Sequence, residues 1–311
     1  MVEELLKTTF LGIALKNPLV VASGVLGTSA SLMERAAREG AGAVTSKSAG
    51  PTARSGHANP VTLAWGNSVI NAIGLTNPGC QDELPILIET KKRLNALGVP
   101  LFASIFASTV EEFGEVARVI AQAEPDLIEI NISCPNVTSD FGEPFSANPA
   151  SAAAVTRSVR AAVSIPISVK LAPNVPNLAQ IAKAVVAEGA DAITAINTVP
   201  AMLIDAYAGQ PVLKNKTGGL SGAAIKPIAL RAVWDLAQAV SVPIIGTGGV
   251  ASGLDAAEMI MAGASLVGVG SAVVNDGPAV FARIARELAE FMQLEGYQSL
   301  EEMRGKAWRA S

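Results

Sequence analysis

The sequence predicts an α/β protein, a (β/α)8 TIM barrel with an N-terminal hairpin and long loops at its carboxyl face. A short apolar run followed by a helical stretch recurs eight times, which is the pattern of a closed barrel of parallel strands. The length of 311 residues suits one large α/β barrel or two ordinary domains. Each run also ends at a polar residue or a glycine, at the face where barrel active sites are built.

The elements are expected in a simple order. A hairpin at Thr8–Leu15, with Gly12 at its centre, precedes the barrel. The eight strands, each given with the residues at which it ends, are expected at Pro18–Ala22 (Ser23–Gly24), Ala43–Ser46 (Lys47), Leu101–Ala103 (Ser104), Leu127–Ile130 (Asn131), Ile167–Val169 (Lys170), Asp191–Ile196 (Asn197), Pro243–Ile245 (Gly246–Gly249) and Leu266–Val269 (Gly270–Ser271). Helices follow the strands, including those at about Ser29–Glu39, Thr109–Ala123 and Pro278–Met292.

Two connections are too long to be simple joints. Gly50–Gln81 separates the second strand from its helix, and Thr198–Ile225 follows the sixth strand. Loops longer than about 15 residues usually act as lids or binding segments, and both of these leave the carboxyl face. We therefore expect them to cover a site, although a disordered surface insert is the alternative for the second.

A doubly wound sheet is the alternative fold. It would carry a glycine fingerprint in its first turn. Gly246–Ala251 matches G-x-G-x-x-A, but it belongs to the seventh unit and no acidic residue follows about 20 positions later. The sequence therefore gives little support to a dinucleotide site.

Composition limits the class of protein. Half of the residues are hydrophobic and 16% are charged, so a large core is available. A mean hydropathy of +0.40 does not indicate a membrane span, because the longest uncharged run, Leu236–Leu254, contains Pro243 and four glycines. The N-terminus lacks the pattern of a signal peptide, so a cytoplasmic protein is expected. The net charge of −4, without basic runs, disfavours nucleic acid as a partner.

Few residues are available for acid–base chemistry. The chain has two cysteines, Cys80 and Cys134, which are too few to hold an iron–sulfur cluster by themselves, and one histidine, His57. A Ser–His–Asp triad is improbable, so a general base must come from Cys, Lys, Asp, Glu or Tyr. No metal site is expected.

The stretch Asn131–Asn136 combines a strand end with a thiol. Pro135 cannot donate a ladder hydrogen bond, so the fourth strand stops here and Cys134 lies on a loop between two amide side chains, Asn131 and Asn136. A thiol becomes a usable base when a cation lowers its pKa, and Lys47 is a candidate cation. The alternative is an ordinary buried cysteine, which is the interpretation we favour for Cys80.

Glycine-rich turns at two strand ends indicate an anion site. Gly246–Gly249 and Gly268–Ser271 follow the seventh and eighth strands, where barrels commonly bind phosphate, and Gly219–Gly222 adds a third such turn. Tight packing at the barrel rim is the alternative explanation for these glycines.

Two lysines and four amides suggest a small planar anion as ligand. Lys47 and Lys170 end strands two and five, where an ammonium needs an anion or an electron-rich ring. A Schiff-base nucleophile or a rim residue remains possible for a single lysine. Amides donate and accept together, and so match a ring of alternating N–H and C=O groups. The four amides are Asn71, Asn131, Asn136 and Asn197.

Four motifs together resemble the dihydroorotate dehydrogenase family. They are Asn131–Asn136 (NISCPN), Asn71–Leu75 (NAIGL), Lys216–Gly222 (KTGGLSG) and Gly246–Gly249 (GTGG). The class 1 enzymes are more similar than class 2, because Cys134 stands where class 2 has Ser. The Ile196–Thr198 segment and the long second loop resemble the 1B, NAD-linked catalytic subunit.

The resemblance implies a single FMN-binding barrel domain over residues 1–311 that oxidises dihydroorotate to orotate in pyrimidine biosynthesis. By position, Cys134 would be the general base. The implied substrate contacts are Lys47, Asn71, Ala72, Ile73, Gly74, Leu75, Asn131, Asn136, Asn197 and Thr198. The implied FMN contacts are Ser23, Lys47, Ser48, Asn131, Lys170, Ile196, Gly222, Gly248, Gly249, Gly270 and Ser271. One departure is Ser104, because many members place Asn there against the flavin.

The 1B resemblance also implies a catalytic-subunit homodimer and a second subunit that carries FAD and a [2Fe–2S] cluster. Other functions stay open at this point: a 1A-type enzyme that reduces fumarate, a related pyrimidine-reducing flavoenzyme, a tRNA-dihydrouridine synthase, or a flavin-binding module without turnover.

Overall fold

A computed structural model of the chain describes residues 2–132 and 145–309. Within those residues the strands, labelled β1 to β16 in chain order, are Thr8–Phe10, Ile13–Leu15, Leu19–Val21, Ala43–Thr45, Thr62–Trp65, Ser68–Asn71, Leu101–Ile105, Leu127–Asn131, Ile167–Leu171, Ala192–Ala195, Val199–Ala201, Ile204–Asp205, Gln210–Pro211, Gly218–Gly222, Ile244–Thr247 and Leu266–Val269. The α-helices, labelled α1 to α12, are Val2–Leu6, Ala30–Arg38, Cys80–Asn95, Val110–Ile120, Pro149–Ala162, Leu178–Ala187, Lys226–Ala239, Gly253–Ala262, Ala272–Asp276, Val280–Leu294, Leu300–Met303 and Lys306–Arg309. Short 3-10 turns lie at Ala121–Ala123, Phe145–Ala147 and Ala223–Ile225.

Eight parallel strands close into a barrel. Their order is β10-β15-β16-β3-β4-β7-β8-β9, so each strand lies beside the next one along the chain. Almost all of their residues are buried, because side chains inside the barrel pack on one another and those outside pack under the helices. The predicted (β/α)8 barrel is confirmed.

The N-terminal hairpin packs against one end of the barrel interior. Phe10 and Leu15, from β1 and β2, form a buried cluster with inward residues near the strand starts, including Phe102 and Leu127. The rings of Phe10 and Phe102 have centroids 6.4 Å apart. The hairpin therefore covers the amino end of the barrel with apolar side chains and leaves the carboxyl end for a ligand.

The barrel interior changes from apolar to polar along the strands. Residues of β8 alternate, with Ile128 and Ile130 packed in the outer core and Leu127 in the inner cluster. The next inward positions, Glu129 and Asn131, carry polar side chains buried in the upper half of the barrel. This gradient places the hydrogen-bonding groups at the carboxyl end, where the sequence predicts a site.

The two long connections meet in one antiparallel sheet. Its strand order is β11-β14-β6-β5, in which β5 and β6 come from Gly50–Gln81 and β11 and β14 from Thr198–Ile225. Asn71 of β6 pairs with Gly219 of β14. The alternative of a disordered insert is therefore wrong for β11 and β14, since backbone pairing to the first connection orders both strands.

Several sequence-based boundaries need correction. β7 and β9 run two residues beyond the expected ends, to Ile105 and Leu171, and β10 stops earlier, at Ala195. Cys80 does not lie on a loop but is the first residue of α3, where it is buried. Backbone pairing with neighbouring strands sets these ends, so the local apolar pattern alone could not fix them.

Within the described ranges, no helix combines the length and the apolar character needed to cross a bilayer. The cytoplasmic location stays a prediction.

Candidate active site

A cavity of about 680 Å³ opens at the carboxyl end of the barrel. Strand ends form its floor, and the sheet of β5, β6, β11 and β14 forms part of its wall. It is lined by every described residue that the sequence singles out for a site: Ser23, Lys47, Ser48, Asn71, Ala72, Ile73, Gly74, Leu75, Asn131, Lys170, Ile196, Asn197, Thr198, Gly222, Gly248, Gly249, Gly270 and Ser271. The roles assigned to these residues stay predictions.

Two predicted site residues cannot be located in this way. Cys134 and Asn136 lie outside the described residues, as does the rest of 133–144. Asn131 precedes this segment and Ser146, which follows it, also lines the cavity. The roles of Cys134 as base and of Asn136 as substrate contact therefore rest on the sequence alone.

Lys170 forms the charged part of the cavity floor. It extends inward from β9 and is only 5% exposed. Its Nζ donates to the Ser23 hydroxyl at 2.9 Å and to Oε1 of Glu129 at 3.4 Å. Because a buried ammonium is costly without a counter-ion, the carboxylate of Glu129 makes this position of Lys170 tolerable.

Serine hydroxyls connect this ion pair to the amides. Ser104 Oγ donates to Oε1 of Glu129 at 3.2 Å and lies 2.8 Å from Ser48 Oγ. Asn131 Nδ2 donates to Ser48 Oγ at 3.3 Å, and its Oδ1 accepts from Asn197 Nδ2 at 3.5 Å. Ser104 is thus buried beneath the cavity and does not line it, which is a different place from that implied for a flavin contact.

Asn71 reaches the cavity from the sheet. Pairing of β6 with β14 sets Asn71 opposite Gly219, and Asn71 Nδ2 donates to the Gly219 carbonyl at 3.3 Å. His57, the single histidine, has Nδ1 3.0 Å from the Ala72 carbonyl, so it supports the segment after Asn71 and does not line the cavity. The sheet therefore delivers one of the four predicted amides from outside the barrel.

The turn after the seventh barrel strand needs glycine for structural reasons. Gly248 and Gly249 have φ of +135° and +78°, and a Cβ on Gly249 would lie 2.6 Å from the Cβ of Lys226. Both glycines also line the cavity. Close packing against α7 thus explains them whether or not an anion binds there, while the small turn still leaves backbone groups beside the cavity.

A cluster of ion pairs between one lysine and two carboxylates holds the same turn in place. Lys226 Nζ contacts Asp255 at 2.6 Å and Glu258 at 2.8 Å. Burial opposes ionisation of Asp255, but hydrogen bonds from Lys226, the Ala251 N–H and Ser252 hold the pKa of its carboxyl below the ordinary value. Asp255 therefore stays ionised near neutral pH and fixes the loop that carries Gly248 and Gly249.

Sequence reasoning missed Glu129 and most of the sheet. Glu129 lies within the apolar run Leu127–Ile130, although its spacing of two from Leu127 and Asn131 places it on the inward face with them. An acidic residue at an inward barrel position is the signal that would have found it. The sheet residues gave no comparable signal, since Gly218–Gly222 is poor in β-forming side chains.

The arrangement favours binding of a planar anionic ligand. One buried ammonium, a second lysine beside Gly24, and several amides surround a cavity of the size that small-molecule sites have. The two glycine turns lie at the ends of the strands where barrels bind phosphate.

Comparisons with known proteins agree with this chemistry. The family model described as dihydroorotate dehydrogenase matches residues 5–292. A Methanosarcina mazei protein named dihydroorotate dehydrogenase B (NAD(+)), catalytic subunit, is 45% identical over 300 residues, which cover 96% of this chain and 94% of that protein. Proteins of the same name from Methanocaldococcus jannaschii and Pyrococcus abyssi are 44% and 41% identical, and the matches cover 98% and 97% of this chain and 99% of each relative.

Proposed function

The chain belongs to the dihydroorotate dehydrogenase family, as an oxidoreductase of the NAD-linked B type, and we propose how its residues oxidise dihydroorotate to orotate. Enzymes of this family depend on a flavin, and we propose that FMN is the flavin of this chain. In this proposal the whole chain is one FMN-binding domain, and the reaction is a step of pyrimidine biosynthesis. The observation that carries it is that one cavity is lined by every described residue of the predicted site.

The fit to FMN rests on the donors around the cavity. Lys170 supplies a buried positive charge for an electron-rich ring, and Ser23 and Ser48 supply hydroxyls next to it. Glycine turns at Gly248–Gly249 and Gly270–Ser271 supply small-residue contacts for a phosphate at the expected strand ends. FMN, when bound, accepts the hydride that leaves C6 of dihydroorotate.

The chain's own residues then account for the proton and for orientation. Cys134, as thiolate, removes the C5 proton, so that one proton and one hydride leave the substrate and a C5–C6 double bond forms. Asn71, Asn131, Asn136 and Asn197 hold the ring through donors and acceptors, with Thr198. Lys47 contacts the substrate and the flavin, which keeps the two reactants at a fixed distance.

An anaerobic titration tests the function directly. The purified FMN-loaded protein is mixed with dihydroorotate, and absorbance of the oxidised flavin is followed. Bleaching in proportion to added dihydroorotate, with orotate as product, is the expected result. An unchanged spectrum, in protein whose flavin is still reduced by dithionite, would contradict the proposal.

The partner is a separate part of the proposal. The relatives are named as catalytic subunits, which implies that they work with another subunit. We infer for this chain a homodimer that docks a second subunit with FAD and a [2Fe–2S] cluster. The net charge of −4 without basic runs supports a small-molecule substrate and not RNA.

A further inference from the structure

Glu129 is a buried carboxylate beneath the cavity. Its side chain points inward from β8, is 4% exposed as a residue, and does not line the cavity. One oxygen, Oε1, accepts from both Lys170 Nζ at 3.4 Å and Ser104 Oγ at 3.2 Å. Glu129 therefore contacts two different parts of the site. One is the Lys170 ammonium of the cavity floor, and the other is the Ser104 hydroxyl, which is hydrogen-bonded through Ser48 to the amides.

The hydrogen bonds that lead away from Glu129 can point in only one direction. An ionised carboxylate accepts and cannot donate, so the Ser104 hydroxyl donates its hydrogen bond to Glu129. The Ser104 oxygen must then accept from the Ser48 hydroxyl, 2.8 Å away. Because the Ser48 proton is used in this way, Ser48 Oγ accepts from Asn131, whose Nδ2 lies 3.3 Å from it.

The same order fixes two amides. With Nδ2 of Asn131 turned to Ser48, its Oδ1 faces Nδ2 of Asn197 at 3.5 Å. The Asn197 Oδ1 in turn accepts from the Thr198 N–H at 2.7 Å. The Thr198 N–H can only donate and the Glu129 carboxylate only accepts, so the two ends of the chain agree on one direction.

We propose that Glu129 is a positioning residue that orients both halves of this site. Its charge holds the Lys170 ammonium next to Ser23, and its acceptor-only oxygen anchors one end of the Ser104–Ser48–Asn131–Asn197 hydrogen-bond chain. The inference rests on the proposed function, because the groups so oriented are those assigned to FMN and the pyrimidine ring.

The two roles predict separate effects. The negative charge of Glu129 lies beside the cation proposed to stabilise reduced flavin, so its removal should raise the flavin midpoint potential. Loss of the Ser104 link should instead weaken binding of the pyrimidine, because the Ser48 hydroxyl would lose its acceptor and Asn131 would be held less firmly. Ser104→Ala breaks the chain and keeps the ion pair, so it separates the second role from the first.

The experiment compares three FMN-loaded variants with the wild type. Glu129→Gln keeps the shape and removes the charge, and Ser104→Ala breaks the chain. Glu83→Gln is the matched control, because Glu83 is also a buried glutamate, 2% exposed, but lies on α3 and does not line the cavity. Midpoint potentials are measured by electrochemical titration, and orotate affinity by the shift in flavin absorbance.

Glu129→Gln should favour flavin reduction by about tenfold in equilibrium constant, a rise of about 30 mV for two electrons. Its orotate affinity should stay near the wild-type value, because the amide oxygen of glutamine still accepts from the Ser104 hydroxyl. Ser104→Ala should weaken orotate binding by about tenfold, the effect of one well-placed hydrogen bond lost, and should keep the wild-type potential. Glu83→Gln should change neither quantity.

Three results would overturn the inference: an unchanged potential in Glu129→Gln, unchanged orotate affinity in Ser104→Ala, or equal effects in Glu83→Gln. Should Glu129→Gln fail to fold, Glu129→Asp takes its place in both measurements: the retained charge should keep the wild-type potential, while the shortened side chain should weaken orotate binding as Ser104→Ala does. Electrochemical titration needs no substrate, so failure of the proposed function, seen as wild-type protein that dihydroorotate does not reduce, is distinguishable from failure of this inference.

Discussion

The two cysteine thiols of this chain are expected to differ in reactivity. Cys80 is buried at the start of α3, and burial raises the pKa of its thiol, so it stays protonated near neutral pH. Cys134→Ser should slow flavin reduction by dihydroorotate by about 10²–10⁴-fold, because a serine hydroxyl is a far weaker base at this pH. Stopped-flow bleaching measures the rate. Cys80→Ser is the control and should reduce at the wild-type rate; equal rates in both variants would exclude Cys134 as the base.

Lys170 is expected to set the flavin potential. Removing it leaves the Glu129 carboxylate without its cation at the cavity floor. Lys170→Ala should therefore lower the midpoint potential of bound FMN by at least about 30 mV, a tenfold shift in the two-electron equilibrium. Lys183→Ala, at an exposed position of α6, is the matched control and should leave the potential unchanged. An unaltered potential in Lys170→Ala with full FMN occupancy would place the flavin ring elsewhere.

Glu83 makes the stability of the fold depend on pH. Burial raises the pKa of its carboxyl to about 7 from the ordinary 4.5, and its Oε1 has no hydrogen-bond partner among the described residues. The folded state thus binds the proton more tightly than the unfolded state, so this stability is fully present below pH 4.5 and is lost as pH rises to 7.

Glu83→Gln should remove that loss. The variant should match the wild type near pH 4 and exceed it at pH 8 by about 3 kcal/mol in the free energy of unfolding, which is the pKa difference converted at about 1.4 kcal/mol per unit. Urea unfolding at both pH values measures the difference. A variant less stable than the wild type at pH 8 would contradict this account of Glu83.

At the scale of elements, the turn between β15 and α8 depends on Gly249. An alanine there would have a positive φ and a Cβ 2.6 Å from that of Lys226. Gly12→Ala is a close control, because Gly12 has nearly the same φ, +81°, and nothing within 4 Å of the added Cβ. In both variants the free energy of unfolding should fall by the cost of a left-handed backbone, about 1–2 kcal/mol.

Only Gly249→Ala should lose more than that, and only Gly249→Ala should release FMN, since its clash displaces a turn that lines the cavity. Thermal unfolding and the ratio of flavin to protein after gel filtration are the measurements. Equal losses of stability and full FMN retention in both variants would show that the turn tolerates the added methyl group.

At the scale of the whole molecule, we expect the electrons to leave this chain through a second subunit. The chain has one proposed mononucleotide site, no convincing dinucleotide fingerprint and two cysteines, too few for a cluster. The isolated chain should therefore take electrons from dihydroorotate and pass them to artificial dyes, but not to NAD. Addition of the second subunit should restore NAD reduction. Turnover with NAD by the chain alone would contradict this prediction, and rapid turnover with fumarate would indicate a 1A-type enzyme.

The sequence by itself determined the barrel and the face that carries the site. Barrel strands are buried on both faces, so each appears as an apolar run, and the carboxyl ends of parallel strands meet at one end of the barrel. Residues that follow those runs, such as Lys170 and Asn131, could therefore be expected to lie together. The roles of Cys134 and Asn136 remain predictions, since residues 133–144 lie outside the described residues.

Only the tertiary structure decided the partners of these side chains. Asn71 and Gly219 are 148 residues apart, and their pairing depends on a register that neither segment encodes locally. Glu129 contacts Lys170 on one neighbouring strand and Ser104 on the other. These contacts exist only once β7, β8 and β9 lie side by side. Local patterns specify which residues are buried, whereas strand pairing specifies which buried polar groups meet.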